Sequence, residues 1–330
     1  MPETVDKRPP LVPLHAEWSD QIWIRPEHTT HILQGTAEAT LLDVELEVQP
    51  REETGPLLLQ VIGAAESTFA IDFGPDGASY RHVDGPTVSI RRGPRWVPID
   101  EWFLQEPPII RFHTGAFLAG DQLFTPASPS AGYDPDKIQA WDWTPTNIRR
   151  ESQGVERDAS TIQHRVLQQL DRDPMWDVIV DDDGTGEAAD IVAIAADLEA
   201  ERLRIHLYHC KYSAGPGPGA RVEDLYEVCG QAQKSVHWKQ DRHHLIEHLK
   251  RRDASRSARH NVSRFERGSQ EVLNRVAHQL PYLVPEFEVF IVQPGLSKSS
   301  VSQAQLDLLA TTELYLSETY AVPLTVIGSE

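Results

Sequence analysis

The run Leu203-Arg204-Ile205-His206-Leu207-Tyr208-His209-Cys210-Lys211 constrains this chain more than any other stretch. Side chains on a strand alternate between faces, so Leu203, Ile205, Leu207, His209 and Lys211 share one side. An apolar stripe thus ends in an imidazole and an ammonium group. Placing such a pair on the apolar face of a central strand costs on the order of several kcal/mol unless it is used, whereas on an edge strand the two would be ordinary surface residues.

The segments around this run alternate between helical and extended patterns. Ile162, Val166, Leu167 and Leu170 recur at helical spacing, which predicts a helix starting near Asp158 or Ser160. Val178-Ile179-Val180 and residues 187–194 read as strands on either side of Asp181-Asp182-Asp183-Gly184-Thr185-Gly186. That acidic run reads as a solvated hairpin turn with glycine supplying positive φ. Helices are expected at 222–238, 245–251, 269–280 and 301–320, with strands at 287–292 and 324–327. Residues 21–125 are different. They carry short β-type runs, including Leu41 to Val48 as one extended stretch, and the turn signal Gly74-Pro75-Asp76-Gly77. The expected organisation is a loose arm (1–20), a β-rich domain (21–125), a linker (126–150) and an α/β domain (151–330).

Composition narrows the setting. The 330 residues suit two domains of ordinary size. No apolar run approaches the length that spans a bilayer, and the first residues lack the apolar stretch of a signal peptide. Two cysteines argue against a disulfide scaffold or a four-cysteine zinc site. These features lead to the expectation of a cytoplasmic protein with no membrane partner. The net charge of -19 weighs against nucleic-acid binding, but it is unevenly spread. Trp176 to Glu201 holds nine acids and no Lys or Arg, whereas Asp241 to Arg267 holds eight Lys/Arg against four acids. One region suits a divalent cation and the other a phosphate backbone. Lys250, Arg251, Arg252, Arg256, Arg259 and Arg264 are the candidate phosphate contacts.

Asp190 lies on the strand before the opening run, and antiparallel neighbours approach within about 5 Å. Asp190, His209 and Lys211 therefore converge. A carboxylate and a second ligand can hold a metal, while lysine stabilises developing negative charge.

This arrangement resembles the PD-(D/E)XK, or restriction-endonuclease-like, nuclease superfamily. The shared order is helix, strand, Asp-bearing strand, strand ending in (Asp/Glu)-X-Lys, helix. The family's aspartate falls on Asp190 and its lysine on Lys211, but His209 stands where the family keeps a carboxylate. The resemblance implies a mixed sheet flanked by helices and a Mg²⁺- or Mn²⁺-dependent nuclease. The departure at His209 leaves open a shift of metal preference toward Mn²⁺, a ligand supplied from elsewhere, with Glu187 near, or loss of activity. The resemblance also implies the backbone carbonyl of Cys210 as a ligand. Gln231, with Gln233 beside it, falls where some branches place a glutamine on the following helix; Gln163 and His164 fall where several branches keep an early Glu, Gln or His.

The run from Trp141 to Trp238 is also similar to the C-terminal region of some bacterial DEAD/DEAH-box helicases of phage or mobile-element defence. It includes Glu151-Ser152-Gln153, Tyr208-His209-Cys210-Lys211-Tyr212-Ser213 and Asp224-Leu225-Tyr226-Glu227-Val228-Cys229-Gly230-Gln231. The helicase loop Gly-x-x-x-x-Gly-Lys-Ser/Thr is absent. The expectation is a stand-alone nuclease module acting on DNA ahead of RNA, with a motor in trans, or as a homodimer. Two alternatives stand beside it. One is a nuclease fold that binds nucleic acid or protein without catalysis. The other is a zinc protease built on His244-Leu245-Ile246-Glu247-His248, whose two histidines face together on a helix.

Overall fold

The computed structural model describes residues 11–19, 31–49, 57–75, 77–92, 94–125 and 132–330. The chain divides into two compact units, Met1–Ala127 and Ser128–Glu330.

The first unit is β-rich, as expected. Its strands are β1 (Pro13–Glu17), β2 (His31–Gln34), β3 (Ala37–Thr40), β4 (Glu45–Gln49), β5 (Leu58–Ile62), β6 (Glu66–Gly74), β7 (Gly77–Asp84), β8 (Val88–Arg92) and β9 (Arg95–Pro98). A short helix α1 (Ile99–Phe103) follows, then β10 (Ile109–Phe112), β11 (Phe117–Ala119) and β12 (Gln122–Phe124). They form three four-stranded sheets, β1-β10-β11-β12, β3-β2-β8-β9 and β4-β5-β6-β7. Alternation in β4 buries Leu46 and Val48 and leaves Glu45, Glu47 and Gln49 outside the core. The expected continuous run from Leu41 is broken by a 3-10 turn at Leu41–Asp43, where Thr40 Oγ1 donates to Asp43. The expected loose arm is corrected too. Residues 1–10 and 20 lie outside the described residues, but Pro13–Glu17 pairs with β10, and Leu14, Ala16 and Trp18 are buried. An apolar alternation of this kind gains more by pairing than it loses in chain entropy.

The second unit holds β13 (Gln139–Ala140), α2 (Ile162–Asp171), β14 (Val178–Asp181), β15 (Ile191–Asp197), β16 (Arg202–Cys210) and α3 (Glu223–Ser235). It continues with α4 (Arg242–His260), β17 (Phe265–Arg267), α5 (Gln270–Gln279), β18 (Val284–Ser297), α6 (Gln303–Tyr320) and β19 (Leu324–Ser329). Seven strands form one mixed sheet in the order β13-β19-β18-β16-β15-β14-β17. Strands β14, β15 and β16 make an antiparallel meander, and β18 joins β16 in parallel. Helix α2 covers one face, packing Ile162, Val166 and Leu170 with Ile191, Tyr208 and Cys210. Helix α3 touches β16 and β18, and α6 packs on α3.

The expected linker is corrected over its described residues. Residues 139–140 add a strand to the sheet, and Trp143 is buried with its indole N–H donating to the Gly328 carbonyl. Tryptophans are costly to expose, so a segment carrying two of them belongs to a core. Helix α4 is also longer than the expected 245–251. The Asp241 side chain caps its start by accepting from the His244 amide, and Asn261, at φ 55°, closes its end. Among the described residues, no helix is long and apolar enough to cross a membrane.

Candidate functional site

The β14–β15 connection builds the site. The Asp182 amide donates to the Asp190 carbonyl, and Gly184 and Gly186 take φ of 106° and 77°, where only glycine is unstrained. The Gly184 amide donates to Glu187 at 2.7 Å. Asp190 was expected inside a strand 187–194; the strand instead begins at Ile191, so Asp190 stands at its mouth. In the register Ile191↔Tyr208, Asp190 lies opposite His209.

Asp190 is buried, and both its oxygens accept hydrogen bonds. The Gln163 side-chain amide reaches one at 2.7 Å and the Cys210 backbone amide the other at 2.8 Å. Burial lifts its pKa well above the ordinary carboxylate range, and the charges of Glu187, Glu151 and Asp183 push in the same direction. Ligand atoms of Glu187, Asp190 and His209 all lie within 4.8 Å of one another. Among the described residues this is the one group of three or more His, Cys, Asp or Glu close enough to hold a metal.

His209 and Lys211 both turn to α3, as strand alternation requires. His209 Nε2 meets Ser235 Oγ at 2.8 Å. Its Nδ1 has no hydrogen-bond partner among the described residues. Burial, with Lys234 adding to it, lowers the His209 pKa to about 3, so the ring is neutral and able to act as a ligand. Lys211 Nζ lies 2.9 Å from Glu227 and 3.3 Å from Glu151. Burial pulls its pKa down, but the two carboxylates outweigh that and leave it raised. Glu151 also accepts from the Tyr212 amide, and its own pKa is raised by burial, offset in part by Lys211.

Three contacts from α3 fall at spacing four: Glu227 to Lys211, Gln231 to Glu187 at a long 3.5 Å, and Ser235 to His209. One face of the helix therefore lines the site. The Gln231 carbonyl oxygen is buried and lacks a partner among the described residues. Gln233 points elsewhere, donating to Thr312. Cys210 touches the cluster through its amide, which donates to Asp190.

Sequence reasoning missed Glu151, Asp183, Glu227 and Ser235. Glu227 and Ser235 were findable, being four residues either side of Gln231. Glu151 and Asp183 were not, because Glu151 reaches Lys211 from far along the chain and Asp183 looked like a turn residue. Gln163 earns its place: its one amide donates to both Asp190 and Asp183.

The expected phosphate contacts divide. Arg252 donates to Asp182 and to the carbonyls of residues 182–185, Arg256 to Asp181, and Arg264 to the carbonyls of Asp181 and Asp183. The acidic run is therefore not a solvated turn; Asp181 and Asp182 are buried and matched by arginines. Lys250 pairs with Glu247. Arg251 and Arg259 are exposed.

The zinc-protease motif does not form a ligand group among the described residues. His248 is buried beside Asp182 and the Trp238 ring, His244 stacks on Trp238, and Glu247 is held by Lys250. Set beside protein-family models, curated proteins and solved structures, the chain matches none.

Proposed function

We propose that the second unit is a restriction-endonuclease-like, divalent-metal-dependent nuclease centred on Glu187, Asp190, His209 and Lys211. The observation that carries this reading is the convergence of Glu187, Asp190 and His209 within 4.8 Å. The order helix, antiparallel three-stranded meander, helix supports it, with the later strand β18 joining β16 in parallel.

The residues fit a cation. Glu187, Glu151 and Asp183 all push the Asp190 pKa upward, and a cation relieves that repulsion. His209 presents a neutral nitrogen that has no partner among the described residues. Asp190, Glu187 and His209 Nδ1 would hold the ion, and the mixed oxygen and nitrogen donors favour Mn²⁺ over Mg²⁺. When bound, the ion supplies Lewis acidity for phosphodiester hydrolysis. Gln163 and the Cys210 amide orient the Asp190 carboxylate. Lys211, steadied by Glu151 and Glu227, brings positive charge to the side of the site where negative charge develops. The substrate is nucleic acid, DNA ahead of RNA, and the biological setting is defence against foreign DNA.

The test is cleavage of labelled DNA and RNA with Mn²⁺ or Mg²⁺, comparing wild type with Asp190→Ala and Lys211→Ala. Both variants are expected to lose cleavage and keep the circular dichroism of the wild type. Activity that survives both changes sinks the reading. Metal binding without cleavage in the wild type leaves the same fold as a binding module.

A further inference from the structure

Beside the carboxylate–histidine cluster, past Asp183, lies a cavity of about 420 Å³. Arg252, Arg256, Arg259, Arg264 and His260 line it, together with Asp183. Four guanidinium groups on one small cavity need an explanation. Asp181 and Asp182 match Arg256 and Arg252 from behind. Both oxygens of Asp183 are bonded, one to Gln163 and one to Ser152. Arg264 donates only to backbone carbonyls, at Asp181, Asp183 and Arg252, which do not cancel its charge. Arg259 and His260 are exposed at the rim, with no side-chain partner among the described residues. Arg256 is itself buried, and its Nε lacks a hydrogen-bond partner among the described residues. The cavity therefore has positive charge and donors in excess.

We infer that this cavity is a phosphate-binding subsite, taking a phosphate group carried either by a nucleic-acid strand or by a free nucleotide. Guanidinium forks match the tetrahedral oxygens of phosphate, and donors that lack an acceptor gain most from an anion. The amide of Gln163 spans Asp183 on the cavity wall and Asp190 in the cluster. A strand anchored here would be held next to the residues proposed to cleave it. That placement rests on the nuclease reading; the binding of phosphate does not.

Arg256 is buried, and its loss can unfold the chain, so the exposed rim carries the test. The full chain in EDTA is melted in sodium phosphate and in sodium chloride at equal ionic strength. Phosphate is expected to raise Tm by about 2–4 °C, and Arg259→Ala with His260→Ala to remove the rise. No rise in the wild type, or an equal rise in the double variant, overturns the inference. The source is read by anisotropy of labelled oligonucleotides. If it is a strand, the double variant binds about tenfold more weakly and its salt dependence falls by about one charge. A phosphate-dependent rise without oligonucleotide binding assigns the cavity to a free nucleotide. That outcome keeps the subsite and removes the nucleic-acid reading, whereas loss of cleavage alone leaves the subsite standing.

Discussion

Two groups of carboxylates sit at the ends of β14 and β15, and the fold treats them in opposite ways. Asp181 and Asp182 are buried, but each meets a guanidinium, at 2.9 Å from Arg256 and 2.5 Å from Arg252. Backbone amides complete them, Asp183 donating to Asp181 and Ala188 to Asp182. Asp190 is buried to the same degree and receives only neutral donors, while other carboxylates crowd it. A matched buried charge holds a fold together. A buried charge left among like charges costs stability, and clusters of that kind mark sites that bind something.

The largest effect expected from this contrast is on stability. Asp182→Ala leaves Arg252 unmatched and should cost about 3–5 kcal/mol in denaturant unfolding. A loss below about 1 kcal/mol would show that the arginine cluster is not structural, and the contrast would collapse.

His206 offers a third way to handle a titratable group that is largely withdrawn from water, which is to stay neutral. It packs against Trp176 and Phe290, and burial, helped by Arg204, lowers its pKa to about 4. Glu288 stands 3.5 Å away and alone would favour the charged ring, but desolvation wins. The unfolded chain then takes up this proton at higher pH than the folded one. The contribution is fully present above the unfolded pKa and fades as pH falls toward 4, by about 3 kcal/mol. Unfolding measured at pH 7 and pH 4.5 should show this loss, and His206→Phe should shrink it. An unchanged pH profile in the variant would mean that the ring is charged in the fold.

The smallest effect sharpens the other side of the comparison. Asp190→Asn should weaken Mn²⁺ binding by at least about 100-fold, or roughly 2.7 kcal/mol, in calorimetry. Its unfolding free energy should move by no more than about 1 kcal/mol, because the repulsion it relieves offsets the hydrogen bond it disturbs. A large destabilisation would place Asp190 with Asp182 among the structural carboxylates.

Much of this was legible in the sequence. The face shared by His209 and Lys211 followed from strand alternation, and both residues do meet α3. The order of helices and strands around them followed from periodicity and breakers. Boundaries slipped where capping decided them, at Thr161 and Asp241, whose side chains accept from the amides of His164 and His244. The partners of Lys211 were less visible. Glu227 lies one turn from Gln231 and could have been read from that spacing, but Glu151 comes from the segment before α2.

The sequence by itself determined that a polar end closes an apolar β16, because side-chain alternation is a local property of the backbone. It also set the acidic run beside Asp190 and the basic run after Asp241. Only the tertiary structure decided which acids those arginines neutralise, since Arg252 and Arg256 reach Asp182 and Asp181 across some seventy residues of chain. Charges interact through space at short range and low dielectric, so no spacing rule could have paired them. That pairing sets Asp181 and Asp182 apart from Asp190, Glu187 and His209, whose ligand atoms gather within 4.8 Å without an arginine among them.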